Sequence, residues 1–129
     1  MKIQHIAIWT KNLEALKTFY ETYFQALPGT KYINPNTHFE SYFLSFSSGA
    51  RIEIMQIPGI LALPTAGDAR YSGYAHLAIS VGSKTSVNQL TDILERNGLP
   101  ILSQPRTTGD GYYESVILDP DGNQIEITI

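Results

Sequence analysis

Glu114-Ser115-Val116-Ile117-Leu118-Asp119-Pro120-Asp121-Gly122-Asn123-Gln124-Ile125-Glu126-Ile127 reads as a strand, a tight turn and a second strand. The same pattern occurs earlier without a gap, as Ser41-Tyr42-Phe43-Leu44-Ser45-Phe46, the turn Ser47-Ser48-Gly49-Ala50, and Arg51-Ile52-Glu53-Ile54. Gly49 and Gly122 take the same place in the two turns, where a tight hairpin needs a residue that tolerates positive φ. Working upstream, each hairpin is preceded by an equivalent opening strand, His5-Ile6-Ala7-Ile8 in one case and His76-Leu77-Ala78-Ile79 in the other. Each opening strand leads through a polar turn into apolar residues at helical spacing. These are Leu13, Leu16, Phe19, Tyr20, Tyr23 and Phe24 in the first copy, and Val87, Leu90, Ile93 and Leu94 in the second. Asn12 is placed to cap the first helix and Gly98 to stop the second. The chain therefore reads as an α+β protein made of two tandem βαβββ modules. Module 1 covers about residues 1–57 and module 2 about 73–129, with a Gly-, Pro- and Ala-rich linker at about 58–72.

Successive side chains of a strand alternate between its faces. In the strand at residues 3–9 this rule sets His5, Ala7 and Trp9 against Ile6 and Ile8. In the strand at residues 74–81 it sets His76, Ala78 and Ser80 against Leu77, Ile79 and Val81. Glu53 likewise opposes Ile52 and Ile54, and Glu126 opposes Ile125 and Ile127. The aliphatic faces are expected to pack on the helices, which leaves His5, Glu53, His76 and Glu126 on faces that line a cleft. A single strand His is more often structural than ligating, but the same chemistry at equivalent places in both halves favours a shared site. Two imidazoles and two carboxylates suit one borderline divalent ion such as Ni²⁺, Co²⁺, Zn²⁺, Fe²⁺ or Mn²⁺. His38 has no counterpart in the other half and reads as a loop residue.

The 129 residues are enough for one domain with a real core, and 43% apolar with 16% charged residues describes an ordinary globular chain. A net charge of −3 with scattered Lys and Arg gives no basic stripe for nucleic acid or an anionic membrane. No apolar run is long enough to span a bilayer and no signal peptide opens the sequence, so a cytoplasmic location is expected. The absence of cysteine excludes disulfides, thiolate metal sites and a Cys nucleophile.

The two His-apolar-Ala-Ile strands, the Asp119-Pro120-Asp121-Gly122-Asn123 turn and the Ile125-Glu126-Ile127 strand together resemble the vicinal oxygen chelate superfamily over essentially the full length. The superfamily includes glyoxalase I, methylmalonyl-CoA epimerase, fosfomycin-resistance enzymes, extradiol dioxygenases and bleomycin-binding proteins. The resemblance implies a cupped, incompletely closed mixed β-sheet barrel around a metal, with ligand positions on His5, Glu53, His76 and Glu126. The His/Glu/His/Glu set looks most like glyoxalase I. It implies a lyase or isomerase that abstracts a proton next to a metal-chelated carbonyl of a small oxygenated substrate. Glu126 is then the base and Glu53 the second catalytic carboxylate.

Two departures stand out: Trp9 and Ile57 occupy places where glyoxalase I commonly has an Arg and an Asn that help to hold glutathione. The rival readings are a metal-dependent antibiotic-resistance enzyme, an extradiol dioxygenase and a metal-free drug-binding protein. Trp9, Met55 and Tyr113 are candidate apolar walls of the cleft, and Arg106 is a candidate partner for an anionic substrate group. The segment from Arg106 to Tyr113 carries two glycines and reads either as a closing loop or as an ordinary turn. A homodimer is expected, because the linker is long enough for modules to pair within or between chains and the first helix carries many aromatics.

Overall fold

The structure, a computed structural model, describes residues 1–61 and 72–129, so most of the expected linker lies outside the described residues. The chain forms two compact units, Met1–Thr65 and Ala66–Ile129.

In the first unit, β1 (His5–Trp9) leads through Thr10 into α1 (Leu13–Phe24). Four strands follow: β2 (Leu27–Pro28), β3 (Tyr32–Asn34), β4 (Phe39–Ser45) and β5 (Arg51–Gln56). The sheet order is β1-β5-β4-β2, with β3 also on β4; β1 and β5 run parallel and the other pairs antiparallel. The single strand expected after the helix is thus two short ones. Pro28 has no N–H to continue a ladder, and Gly29 follows it with its N–H bonded to the Phe43 carbonyl at 2.8 Å. Asn12 caps α1 as expected, its side chain accepting from the Ala15 N–H at 3.1 Å. Gln56 Oε1 accepts from the Leu13 N–H at 2.8 Å, tying the helix start to the last strand.

Leu13, Leu16, Phe19, Tyr20 and Phe24 are buried against Leu44, Ile52 and Ile54. Each such side chain contributes about 1.5–3 kcal/mol when fully buried. Phe19, Tyr20 and Phe24 are therefore core and Tyr23 is half-buried, so the helix supplies little of the exposed surface that the homodimer expectation drew on. Phe19 packs edge-on to Tyr20 at 5.2 Å between centroids and tilted to Phe24 at 5.7 Å.

On the outer side of α1, Glu14 holds Lys17 at 2.9 Å, Lys31 at 3.1 Å and the Tyr42 hydroxyl at 3.1 Å. Hydrogen bonds from Lys17 and Lys31 lower its carboxyl from 4.5 to about 2. A depressed acid contributes stability that is present above its unfolded pKa and is lost as pH falls through the folded one. Glu14→Gln is expected to flatten the loss of stability between pH 4.5 and about 2. Because that side chain is 53% exposed, the change near neutrality should stay below about 1 kcal/mol. Urea denaturation of both proteins across this window checks the sign.

The second unit follows the expected plan. It runs β6 (Leu77–Ser80), α2 (Lys84–Arg96), β7 (Ile101–Thr107), β8 (Tyr113–Leu118) and β9 (Gln124–Thr128). The order is β6-β9-β8-β7, with β6 and β9 parallel and the rest antiparallel. Ser83 caps α2 through the Ser86 N–H, and Gly98 ends it at φ 80° with its N–H on the Glu95 carbonyl. The buried face of α2 is Val87, Thr91 and Leu94, whereas Ile93 is 48% exposed and does not belong to it. Thr91 enters the core because its hydroxyl bonds the Val87 carbonyl and the Ser115 hydroxyl, each at 2.7 Å. Gly49 and Gly122 stand at φ 86° and 85°, as the two aligned turns require. Both units are α+β, with an open mixed sheet and one helix each.

Candidate metal centre

In the first unit the parallel pairing of β1 with β5 sets Ala7 beside Glu53 and His5 beside Arg51, all on the face turned away from α1. The His5 Nε2 lies 3.7 Å from a Glu53 carboxylate oxygen, and the imidazole stands edge-on to Phe43 at 5.2 Å between centroids. The His5 Nδ1 contacts the Gln4 Oε1. An oxygen against the other ring nitrogen is a common setting of a metal-binding His.

The second unit repeats the pair. β6 runs beside β9 with Ala78 opposite Glu126, and His76 immediately precedes β6. Its Nε2 lies 3.3 Å from a Glu126 carboxylate oxygen. Both carboxylates are mostly covered, at 17% side-chain exposure, and the imidazoles are more open at 37% and 43%. Within either unit no third His, Asp or Glu among the described residues joins its pair to form a larger donor group. Each unit thus brings together two of the four expected ligands. The donor set of one imidazole nitrogen and one carboxylate oxygen per unit fits a borderline divalent ion.

Glu114 was not foreseen. On β8 it pairs with Thr128, two residues from the partner of Glu126, so it shares the sheet face of Glu126. It is buried, and burial raises its carboxyl pKa first, with the neighbouring Glu126 charge raising it further. The Arg106 guanidinium, 3.8 Å away, opposes that rise. Arg106 thus faces Glu114, with about half of its side chain still exposed at 52%. The signal was available in the alternation of β8, where Glu114 falls on the Val116 side, away from Ser115 and Ile117.

Tyr113 does not line this face: its hydroxyl donates to Asn88 Oδ1 at 2.8 Å and its ring lies under Lys84 of α2. The segment between β7 and β8 is a closed turn. The Thr108 N–H donates to the Tyr112 carbonyl at 2.8 Å, and the Thr108 hydroxyl oxygen accepts from the Tyr112 N–H at 3.0 Å. His38 sits in the β3–β4 turn at φ 55°.

Comparison with known proteins follows the same lines. The family model described as Glyoxalase/Bleomycin resistance protein/Dioxygenase superfamily matches residues 2–127. The fold is similar to glyoxalase I from Zea mays, at 20% identity and TM-score 0.79 over 98% of this chain and 44% of that one. This chain thus spans less than half of the maize enzyme. It is similar to Leishmania major glyoxalase I at 21% identity and TM-score 0.76, covering 99% of this chain and 86% of the other. A glyoxalase family protein from Enterococcus faecalis matches at 23% identity and TM-score 0.79 over 99% and 97%. Among curated proteins no sequence match is found.

Proposed function

This chain belongs to the Glyoxalase/Bleomycin resistance protein/Dioxygenase superfamily, and from that premise we propose that it is a divalent-metal-dependent lyase or isomerase acting on a small oxygenated substrate. The observation that carries the reading is the His–Glu pair repeated at equivalent strands of both units, His5 with Glu53 and His76 with Glu126. These four side chains are the ligands in this reading. A bound divalent ion would act as a Lewis acid on a substrate carbonyl and make the adjacent C–H more acidic. Glu126 takes that proton and returns it to the same carbon or the next one, and Glu53 is the second carboxylate of the reaction. Arg106 and Glu114 hold the surroundings of Glu126, limiting the positions its carboxyl can take. Phe43 does the same for the His5 ring.

Glutathione is a poor fit to this reading, because Trp9 and Ile57 offer no charge to a tripeptide's carboxylates. The test begins with protein stripped by a chelator and reloaded with Ni²⁺, Co²⁺, Zn²⁺ or Mn²⁺, followed by elemental analysis. Retention of roughly one ion per chain, then proton exchange in hemithioacetal isomerase or 2-acyl-CoA epimerase assays, is the expected outcome. Turnover of the methylglyoxal–glutathione hemithioacetal should stay below about 10⁵ M⁻¹s⁻¹ in kcat/KM, and a higher value would restore glutathione as the handle. A chain that retains no ion under any loading condition would sink the metal-dependent reading. The homodimer now rests on the family alone, and light scattering against the 14.3 kDa chain mass checks it.

A further inference from the structure

The helix-averted face of the first unit changes character along its strands. One row across the sheet holds Ala7, Glu53 and Phe43; the next holds Trp9, Met55, Ser41 and Tyr32. Phe39 lies on the same face, and its ring meets Trp9 edge-on and Tyr32 at a tilt, each at 6.0 Å between centroids. Three aromatic rings therefore form a continuous wall, within the separations at which such rings attract. Trp9 and Tyr32 remain 50% and 55% exposed, large apolar side chains with open surface beside a polar pair. Arg51 and Glu53 are charged on this face at the His5 end, whereas Glu14, Lys17, Lys31 and Glu40 pair with one another on the helix side of the sheet. The Trp9 row itself carries no charged residue.

We propose that Trp9, Met55, Phe39 and Tyr32 bind the apolar ring of an elongated substrate whose paired oxygens lie at the His5–Glu53 end. Alternate residues of a strand are about 7 Å apart, so the wall begins about 7 Å from the carboxylate row. A substrate that spans both carries its ring some four or five bonds from its chelating oxygens. An apolar wall with a few polar groups at one end is the usual make-up of a small-molecule site. The occupant is a ligand of this site because the wall is continuous with the His5–Glu53 pair on one sheet face. This assignment of a ring-bearing substrate class rests on the metal-dependent reading above.

Trp9 is the one tryptophan in the sequence, so intrinsic fluorescence reports directly on the wall. The probes are butanohydroxamate and 4-phenylbutanohydroxamate, which share a chelating head and differ by the ring. Calorimetry on Zn²⁺-loaded protein is expected to show the phenyl probe binding at least about 10-fold more tightly. Only the phenyl probe should shift or quench the Trp9 emission. Trp9→Ala and, separately, Tyr32→Ala should each remove most of the 10-fold advantage and leave the butanohydroxamate affinity unchanged. Equal affinities of the two probes in the native chain would overturn the ring assignment while leaving metal chelation intact. Failure of butanohydroxamate to bind at all would overturn both. A dimer that dissociates in Trp9→Ala, with the phenyl advantage retained, would give the wall to a second copy of the chain and overturn the proposal.

Discussion

Glu126→Gln is expected to lower kcat by about 10²–10⁴-fold, the usual cost of removing a positioned proton-transfer group. Metal affinity should fall with it, because a neutral amide replaces an anionic ligand. The amide conserves shape, so the β9 ladder and the Ile125 and Ile127 packing survive. Stability should in fact hold or rise slightly in the metal-free protein, since Glu114 is buried next to the Glu126 charge and that repulsion disappears. A catalytic collapse without a loss of stability separates a ligand-base from a structural residue. His5→Ala should match it in metal loss. His38→Asn serves as the control, because Asn tolerates the φ of 55° at that turn position. Competition with a chromophoric chelator and urea denaturation on the same samples make the measurement. Native metal affinity in Glu126→Gln and His5→Ala would defeat the ligand assignment.

The second large effect concerns the turn that leads into β9. Asp119 is 3% exposed and accepts three hydrogen bonds: from the Asp121 N–H at 2.9 Å, the Asn123 N–H at 2.8 Å and the Asn123 amide at 2.9 Å. Burial pushes its carboxyl upward and these donors pull it back. Asp119→Ala removes the acceptor of three part-buried donors and leaves a small void, which should cost roughly 2–3 kcal/mol. Asp119→Asn keeps an acceptor of the same shape and should cost about 1 kcal/mol. The midpoint of urea denaturation reads both. Equal losses for the two variants would mean that shape, not the hydrogen bonds, matters at this position.

Much of this was legible before any coordinates. The duplicated hairpin placed Gly49 and Gly122 at positive φ, and strand alternation put Glu53 and Glu126 on the faces away from Ile52, Ile54, Ile125 and Ile127. What escaped has physical reasons. An aromatic stripe on a helix does not tell how broad a sheet it will meet; α1 packs on β2, β4 and β5, so Phe19, Tyr20 and Phe24 all disappear. Tyr113 was placed on the wrong side because it was read as part of a loop, whereas it is the first residue of β8 and follows the Ser115 and Ile117 side. Glu114 was overlooked because its counterpart in the aligned first copy is Ser41, and a search for matched pairs passes over a residue that only one half carries. Thr91 shows the limit of apolar periodicity, since a hydroxyl with two partners is as acceptable in the core as a methyl.

The parallel pairing of β1 with β5, and of β6 with β9, joins the first strand of each unit to its last. His5 and Glu53, like His76 and Glu126, are separated by roughly fifty residues of chain, a long-range closure of the kind that slows folding. On the ribosome the first His is therefore made well before its Glu, and neither half-site exists until the closing strand has been released and has docked. An ion that bridged such a pair could enter only after the closing strand has docked, and it would staple the two ends of its unit against fraying.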